Sequence, residues 1–489
     1  MIRSRLYIVC VVLFSFGFLW SCAGTPSVTP GSPREHAGSS LPEEREVEIL
    51  PPAGKPPERL PLTDTQSILE RMRELLELGD YQGALALFDR IENPDAGSAG
   101  IRLLKASVLL SAGDRPGSRA LTEEIISADP QNTEALYMLS TLEFAEDKGK
   151  QQQALLEKIL KIEPNNTDAL VDLGNIFVRA RSWRNAAGYF DKALQIQPEN
   201  GRALLGRASV YRFNHDRNNA ERLFNRAVEL YPDWAEARHE RARLLREWDN
   251  PREALEDLDK AKSLEPDSYF IAADRGNALR DLGRKREALE EYERAININP
   301  DIFVAYVYSS GIKFDLGDFD GADRDFSRLA ALRPDYYFAY EGLGMVKMRK
   351  QLWAEARDAF RECYKYAPKE WYYALLAAMN WMRSGRPSDP RQFLAQALRG
   401  LQRESPEWYL LRLYHDLSGD NDIVVRIDRE QNLDTKARML FYLAHYYDIR
   451  GNKNLAGIYF LRVRELDRKA IPEWKLNEWA IEERNLDAR

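Results

Sequence analysis

Apolar residues recur along most of this chain with the spacing of paired amphipathic helices. When the chain is divided into units of 34 residues, one apolar set falls at unit positions 4, 7 or 8, and 11, and a second set falls at positions 20, 24, 27 and 28. Both sets follow the i, i+3, i+4, i+7 spacing that places side chains on one face of an α-helix. Each unit is therefore predicted to form two helices, A and B.

A proline marks the boundary between consecutive units. Proline cannot continue a helix, yet its fixed φ suits the bend into the next one. Eight prolines are spaced 34 residues apart: Pro130, Pro164, Pro198, Pro232, Pro266, Pro300, Pro334 and Pro368. With proline at unit position 32, the units begin at residues 65, 99, 133, 167, 201, 235, 269, 303, 337 and 371.

Small and bulky residues also occupy fixed unit positions. Position 8 is alanine, serine or glycine in every unit from residue 99 to 371, and position 20 is alanine in six consecutive units. A small residue lets two helix backbones approach, and a bulky residue fills the remaining space. Position 24 of those six units is bulky: Phe190, Phe224, Leu258, Tyr292, Phe326 and Phe360.

This pattern resembles the tetratricopeptide repeat family, whose 34-residue helix pairs combine small residues at positions 8, 20 and 27 with proline at position 32. The resemblance implies an all-α fold, a right-handed superhelical solenoid of about twelve helix pairs. Ten units fill residues 65–404, a degenerate unit fills 405–436, and a further unit fills 437–470. Residues 471–489 are expected to form a capping helix or tail.

The N-terminus has the composition of an export signal. A basic MIRSR precedes an apolar run of 15 residues, which is shorter than the roughly 20 that span a membrane. The run ends at LWSCAG, residues 19–24, which resembles the lipobox of bacterial lipoproteins. That resemblance implies a signal peptide at residues 1–21 and acylation of Cys22, for example with palmitate. An uncleaved membrane anchor is the alternative, and either interpretation exports the chain and attaches it to a membrane.

A spacer follows the predicted lipid site. Residues 23–62 contain nine of the 24 prolines and almost no aromatic residue. Such a segment cannot bury enough apolar surface to offset its ordering entropy, so residues 22–64 are predicted to be a disordered linker.

Composition and motifs exclude several kinds of chemistry. The net charge of -7 provides no general attraction for nucleic acid, so no nucleic-acid partner is predicted. The chain lacks phosphate-loop, nucleophile-elbow and zinc-protease motifs, and its five histidines lack metal-ligand spacing. The protein is therefore predicted to be no enzyme, with no cofactor and no metal. Its three cysteines lie in different settings, so no disulfide is expected, and Cys363 is expected to be a buried, inert thiol.

The family resemblance places binding residues at positions 2, 5, 9 and 12 of helix A, on one concave stripe. From residue 167 to 302 the stripe is mostly cationic and amide, and its candidate partner-binding residues are Asn175, Arg202, Arg212, His239, Arg243, Arg246, Asn277 and Arg280. From residue 303 to 404 it is mostly apolar, with candidates Phe314, Phe338, Met345, Met348, Met379 and Met382. An ordinary charged helix face is the alternative for the first stretch, and tighter packing between units is the alternative for the second.

These features together predict a scaffold of the bacterial cell envelope, at the periplasmic face or the cell surface, anchored by lipid. A groove with arginines beside methionines and aromatics suits a protein or peptide segment with acidic and hydrophobic groups. One alternative is a surface adhesin that binds an acidic polysaccharide or a host matrix protein through the arginine-rich residues 201–246. Another is an accessory subunit of an envelope enzyme.

Overall fold

The computed structural model describes residues 65–91, 98–385 and 390–486, and the regular structure within these ranges is entirely helical. The predicted signal peptide, lipidated Cys22 and linker lie outside the described residues. None of the helices in the described part has both the length and the apolar composition needed to cross a membrane.

The described ranges contain 25 α-helices and one short 3-10 helix at Phe88–Arg90. The first twelve α-helices are α1 (Thr65–Glu77), α2 (Tyr81–Leu87), α3 (Ala99–Ser111), α4 (Arg115–Ala128), α5 (Thr133–Ala145), α6 (Gly149–Ile162), α7 (Thr167–Arg179), α8 (Trp183–Ile196), α9 (Gly201–Phe213), α10 (Arg217–Leu230), α11 (Ala235–Glu247) and α12 (Pro251–Leu264). The remaining thirteen are α13 (Tyr269–Asp281), α14 (Lys285–Ile298), α15 (Phe303–Leu316), α16 (Phe319–Leu332), α17 (Tyr337–Arg349), α18 (Trp353–Tyr366), α19 (Tyr372–Arg383), α20 (Arg391–Leu398), α21 (Pro406–Asp416), α22 (Asp420–Arg429), α23 (Leu433–Ile449), α24 (Lys453–Glu465) and α25 (Pro472–Glu483).

Consecutive helices form pairs, and the pairs follow one another along the chain. The odd-numbered helices from α1 to α23 are the A helices of the repeat, the even-numbered helices are the B helices, and α25 follows the last pair. The chain divides into two compact units at Leu230 and Tyr231. Helices α1–α10 belong to the first unit and α11–α25 to the second, and within each unit the prediction of an all-α solenoid of helix pairs is confirmed.

The turn inside each pair depends on one residue with positive φ. That residue lies at unit position 15 and is Gly79, Gly113, Asp147, Arg181, His215, Asp249, Gly283, Gly317, Gln351 and Gly385 in successive units. Glycine adopts this left-handed conformation without a steric cost. In three units an aspartate directly after the glycine caps helix B. The carboxylates of Asp80, Asp114 and Asp318 accept the backbone N–H of the residue three positions later.

The bend between pairs is held by side chains from both sides. Asn132, Asn166 and Asn200 cap the following A helix by accepting a backbone N–H from its first turn. From the other side, Arg294 of helix α14 donates to the carbonyl of Pro266 at 2.6 Å. An arginine of the next B helix can therefore donate a hydrogen bond to the backbone carbonyl of the boundary proline.

In several pairs a ring from helix B is inserted against a glycine of helix A. A Cβ added to Gly174 would lie 2.6 Å from the ring of Phe190, and a Cβ added to Gly276 would lie 2.7 Å from the ring of Tyr292. Both rings are fully buried. These contacts join unit position 8 to position 24, so the two helices of a pair approach too closely for a larger residue at position 8.

Helix α25 covers the last pair with one face. Its Glu473, Leu476, Asn477, Ala480 and Ile481 are buried at a helical spacing against α23 and α24. The amide of Asn477 donates to the carbonyl of Phe460 at 3.0 Å, and Arg438 lies 3.3 Å from the carboxylate of Glu473. The carboxylate of Glu473 and the amide nitrogen of Asn477 therefore have partners on this buried face.

A neutral histidine lies at the centre of this C-terminal region. His445 of α23 is 2% exposed, and its Nδ1 accepts a hydrogen bond from Arg383 Nη2 at 2.8 Å. Burial lowers the pKa of His445 well below its ordinary value, and the guanidinium groups of Arg383 and Arg484 lower it further. Both arginines pair with Asp448, and the rings of Phe441 and Phe460 flank the imidazole.

The positive φ of the turn residue predicts opposite effects for two substitutions in one unit. Gly317 has φ of 82°, whereas Gly311 lies inside α15 with open space where a Cβ would be. We expect Gly317→Ala to lower the free energy of unfolding by about 1 kcal/mol or more, and Gly311→Ala to raise it by about 0.5–1 kcal/mol. Urea unfolding of both variants measures the difference. Equal effects would contradict the role of position 15.

The buried neutral histidine predicts a loss of stability on acidification. The unfolded chain binds a proton at His445 below about pH 6.5, whereas the folded chain does not until a much lower pH. The free energy of unfolding should therefore fall as pH decreases below about 6.5, by up to about 1.4 kcal/mol per pH unit from this group. Unfolding curves at pH 7, 6 and 5 should show a shallower dependence for His445→Gln. An unchanged slope in His445→Gln would refute the assignment.

Candidate partner-binding site

All fourteen candidate partner-binding residues lie on A helices, from α7 to α19. They fall into three sets with different surroundings. The first set is on α7 and α9 in the first compact unit, the second is on α11 and α13, and the third is on α15, α17 and α19.

The first set is tied into contacts between neighbouring A helices. Arg202 of α9 pairs with Asp172 and lies 3.6 Å from Asp168, both on α7. Asp172 also accepts a hydrogen bond of 2.5 Å from Tyr137 of α5. Burial alone would lower the pKa of Arg202, but Asp172 and the other nearby acidic groups raise it above its ordinary value. Arg202 is therefore a structural cation that links three successive repeats.

The other two members of the first set differ in exposure. Arg212 is 6% exposed and its guanidinium lies 5.0 Å from the centre of the Phe213 ring. Asn175 is half-buried on α7. Of this set, therefore, Arg212 offers little surface to a partner.

The second set converges on one carboxylate, Asp274 of α13. His239 Nε2 lies 2.8 Å from Asp274 Oδ2, Arg246 Nη1 lies 3.5 Å from Oδ1, and Arg243 Nε lies 3.8 Å from Oδ2. The amide of Asn277 donates to Oδ1 at 3.1 Å. Burial would raise the pKa of Asp274, but the hydrogen bond with His239 and the neighbouring Arg243 hold it below its ordinary value. Asp274 is thus the anionic centre of this stretch.

A second carboxylate, Asp281, completes the charge balance at the end of α13. Arg246 Nε donates to it at 2.8 Å, and Arg280 Nη2 donates at 2.9 Å. The Arg280 guanidinium also lies 4.0 Å from the centre of the Tyr308 ring on α15. The cationic stretch predicted from the sequence is therefore largely a set of ion pairs between A helices, which leaves less net positive charge for a partner.

The third set, the apolar candidates, is partly buried. Met379 and Met382 are 0% and 5% exposed, and Met348 is 7% exposed. Met345 is partly buried against the same core. This burial favours tighter packing between repeats, the alternative interpretation, for most of the methionines.

Three large apolar side chains on successive A helices remain exposed. Phe270 of α13 is 42% exposed, Val304 of α15 is 40% exposed, and Phe338 of α17 is 48% exposed. All three occupy unit position 2, and we call Phe270, Val304 and Phe338 the position-2 face. Phe338 is among the candidates predicted from the sequence, whereas Phe270 is not. The same register identifies Phe270, but it lies in the stretch that is mostly cationic.

The candidate Phe314 is covered by the chain itself. Trp479 of α25 lies with its ring centre 5.6 Å from that of Phe314 and 5.7 Å from that of Phe319. The carboxylate of Glu482 lies 3.0 Å from Arg349, whose guanidinium also lies 5.5 Å from the centre of the Trp479 ring. Trp479 is not among the candidates predicted from the sequence, since the 34-residue pattern contains nothing that pairs the C-terminal segment with α15 and α17.

Other reactive groups are sparse in the described part of the chain. Within those residues, no three or more His, Cys, Asp or Glu side chains are placed to hold a metal ion. Cys363 is buried as predicted, and burial raises the pKa of its thiol above its ordinary value. The chemical features of the described helices are therefore mainly their exposed apolar side chains and their ion pairs.

Comparison with known proteins identifies the repeat. Family models described as tetratricopeptide repeat match residues 75–142, 171–233, 270–302 and 312–370. No curated protein matches the chain in sequence.

Several solved structures share the arrangement of helix pairs. The chain is similar to a tetratricopeptide repeat protein from Parabacteroides merdae, with 17% identity over 50% of this chain and 98% of that one and a TM-score of 0.41. It is also similar to pilF of Pseudomonas aeruginosa, with 19% identity, coverage of 41% and 92%, and a TM-score of 0.38. For the APC/C hetero-tetramer Cut9-Hcn1 the identity is 15%, the coverage 65% and 63%, and the TM-score 0.48.

Identities and TM-scores this low carry no argument about the partners of this chain. The family matches agree with the 34-residue period and with the helix pairs. From its repeats and its helices, this chain belongs to the tetratricopeptide repeat family.

Proposed function

We propose that this protein is a lipid-anchored scaffold of the bacterial cell envelope, and that it binds a protein segment across the position-2 face. Its tetratricopeptide repeats support a protein–protein interaction scaffold, and folds of this family are typically non-catalytic. The envelope location and the lipid are supported by the lipobox-like residues 19–24 and the proline-rich spacer behind them.

The alignment of Phe270, Val304 and Phe338 carries the proposal for the binding surface. Single exposed apolar residues are common on proteins, but a row of them on successive elements indicates an interaction site. Tyr269 and Tyr337 lie against the two phenylalanines, with ring centres 4.0 Å and 4.2 Å apart. Such neighbours restrict the exposed rings, so less side-chain entropy is lost when a partner covers them.

The charge pattern favours a protein partner over an acidic polysaccharide. A polyanion would need unbalanced cations, whereas Arg243, Arg246 and Arg280 have carboxylate partners. A peptide with apolar side chains at intervals can use the position-2 face, and its polar groups can exchange with the ion pairs beside it. An adhesin based on the arginine-rich residues is therefore the weaker candidate.

Site-specific photocrosslinking in the native cell tests the binding surface. A photoreactive amino acid at residue 270 or 338 should crosslink to a protein, because both side chains point to solvent on the proposed face. The control is residue 213, a phenylalanine with 46% exposure in the first compact unit. Ala substitutions of Phe270 and Phe338 together should reduce capture at residue 304. Absence of any product at 270, 304 and 338, or an identical product at 213, would contradict the proposed face.

Replacement of Cys22 tests the anchor. Cys22→Ser should abolish incorporation of a labelled fatty acid and should release the protein from the membrane fraction, because a lipid chain holds by burial of its CH₂ groups. Cys10→Ser is the matched control, since Cys10 lies inside the apolar run and should leave acylation intact. Labelling that survives in Cys22→Ser would exclude the proposed lipid site.

A further inference from the structure

We infer that α25 is a latch: one of its faces is a permanent cap on the last repeat, and the other closes a socket on α15–α17 that a partner opens. The socket consists of Phe314, Phe319, Met348 and Arg349, and the latch face consists of Lys475, Trp479 and Glu482. This inference rests on the proposed function, because it concerns how a partner reaches the binding surface of the same A helices.

The two faces of α25 are distinct on the helix. The cap face repeats at residues 473, 476, 477, 480 and 481, and the latch face repeats at residues 475, 479 and 482. Each follows the spacing of three or four residues that aligns side chains on a helix. This single helix of 12 residues thus contacts the last pair with one face. With its other face it contacts α15, α16 and α17, which lie much earlier in the sequence.

The cap face is built to stay in place. Its five residues are 0–3% exposed, and its polar members Glu473 and Asn477 have partners on α23 and α24. Separation of this face would expose apolar surface and leave buried polar groups without their bonds. Release of the whole helix is therefore unfavourable.

The latch face makes looser contacts. Trp479 and Lys475 are only partly buried, and the side chain of Glu482 is 64% exposed. Aromatic edge contacts and a solvent-exposed ion pair are individually weak. A small cavity also remains beneath the face, lined by Met348, Arg349, Trp353, Trp479 and Arg484 among others. Because these contacts are incomplete, the latch face can separate from the socket while the cap face remains docked.

The socket lies at the other end of the helices that present the position-2 face. Val304 and Phe314 are ten residues apart on α15, as are Phe338 and Met348 on α17, a distance of about 15 Å along each helix. A partner that crosses the whole groove must therefore contact Val304 and Phe338 at one end and displace Trp479 at the other.

The latch face also specifies the chemistry of a segment that replaces it. The socket surrounds a large aromatic side chain with two rings, and Arg349 binds a carboxylate one helical turn further on. The geometry points to an amphipathic partner helix with an aromatic residue followed three positions later by an acidic residue. Arg349 contacts both groups, through its charge and through the ring face.

Spin labels on the full-length chain test the latch without any partner. Labels at Leu316→Cys, at the end of α15, and at Asn485→Cys, just after α25, report the distance across the socket. Cys10 and Cys22 are replaced by serine, while Cys363 is buried and should not react. Trp479→Ala should shift the distance distribution to longer values, whereas Trp474→Ala, on the same helix, should leave it unchanged.

Charge reversal provides a milder second variant. Glu482→Lys breaks the pair with Arg349, and Glu478→Lys breaks the 3.0 Å pair with Arg464 of α24. The first should lengthen the distance and the second should not. If neither Trp479→Ala nor Glu482→Lys changes the distance, the latch is refuted, and this result is independent of any partner.

The link to binding is tested in cells by a photoreactive amino acid at Leu316. The protein that crosslinks at residue 338 should crosslink at residue 316 several-fold more in Trp479→Ala than in Trp474→Ala. A longer spin-label distance with no increase at 316 would overturn the gating role. Loss of crosslinks at 270, 304 and 338 in every variant would instead count against the proposed function and would leave the spin-label result intact.

Discussion

The insertion of a ring from helix B against a small residue of helix A is the contact on which the rest of the array depends. At Gly174 and Phe190, and again at Gly276 and Tyr292, the ring lies where a Cβ would be. This contact fixes how far apart the helices of a pair lie, and hence where each A helix presents its remaining faces. Because the unit repeats every 34 residues, a side chain at a given position meets equivalent neighbours in unit after unit.

The 34-residue repeat also determines which charged residues pair with one another. In the described part of the chain, pairs of residues 35 apart meet across neighbouring A helices in three places: Tyr137 and Asp172, His239 and Asp274, and Arg246 and Asp281. Each pair joins one repeat to the next, so many polar groups on the A helices are already bonded. The surface of the A helices in the second compact unit therefore combines the exposed apolar side chains of the position-2 face with ion pairs beside them.

The C-terminal helix α25 also packs against the repeats, but it contacts them with two faces. A stack of repeats must cover its last apolar face, and the buried face of α25 does so. Its other face adds contacts of Trp479 and Glu482 with Phe314, Phe319 and Arg349. The helix that covers the last repeat therefore also contacts α15, α16 and α17.

The architecture was predictable from the sequence because each unit encodes its own geometry locally. The apolar spacing, the glycines of the turns and the proline boundaries specify helix pairs without reference to distant residues, and the small residues predicted their close packing. The position-2 face follows from the same register, as Phe270 demonstrates. By contrast, the pairing of Arg243 and Arg246 with Asp274, the burial of Met379 and Met382, and the contact of Trp479 with Phe314 depend on which side chains meet in space. Helical periodicity describes neighbours along one helix, whereas those contacts join different helices, so only the tertiary structure decided them.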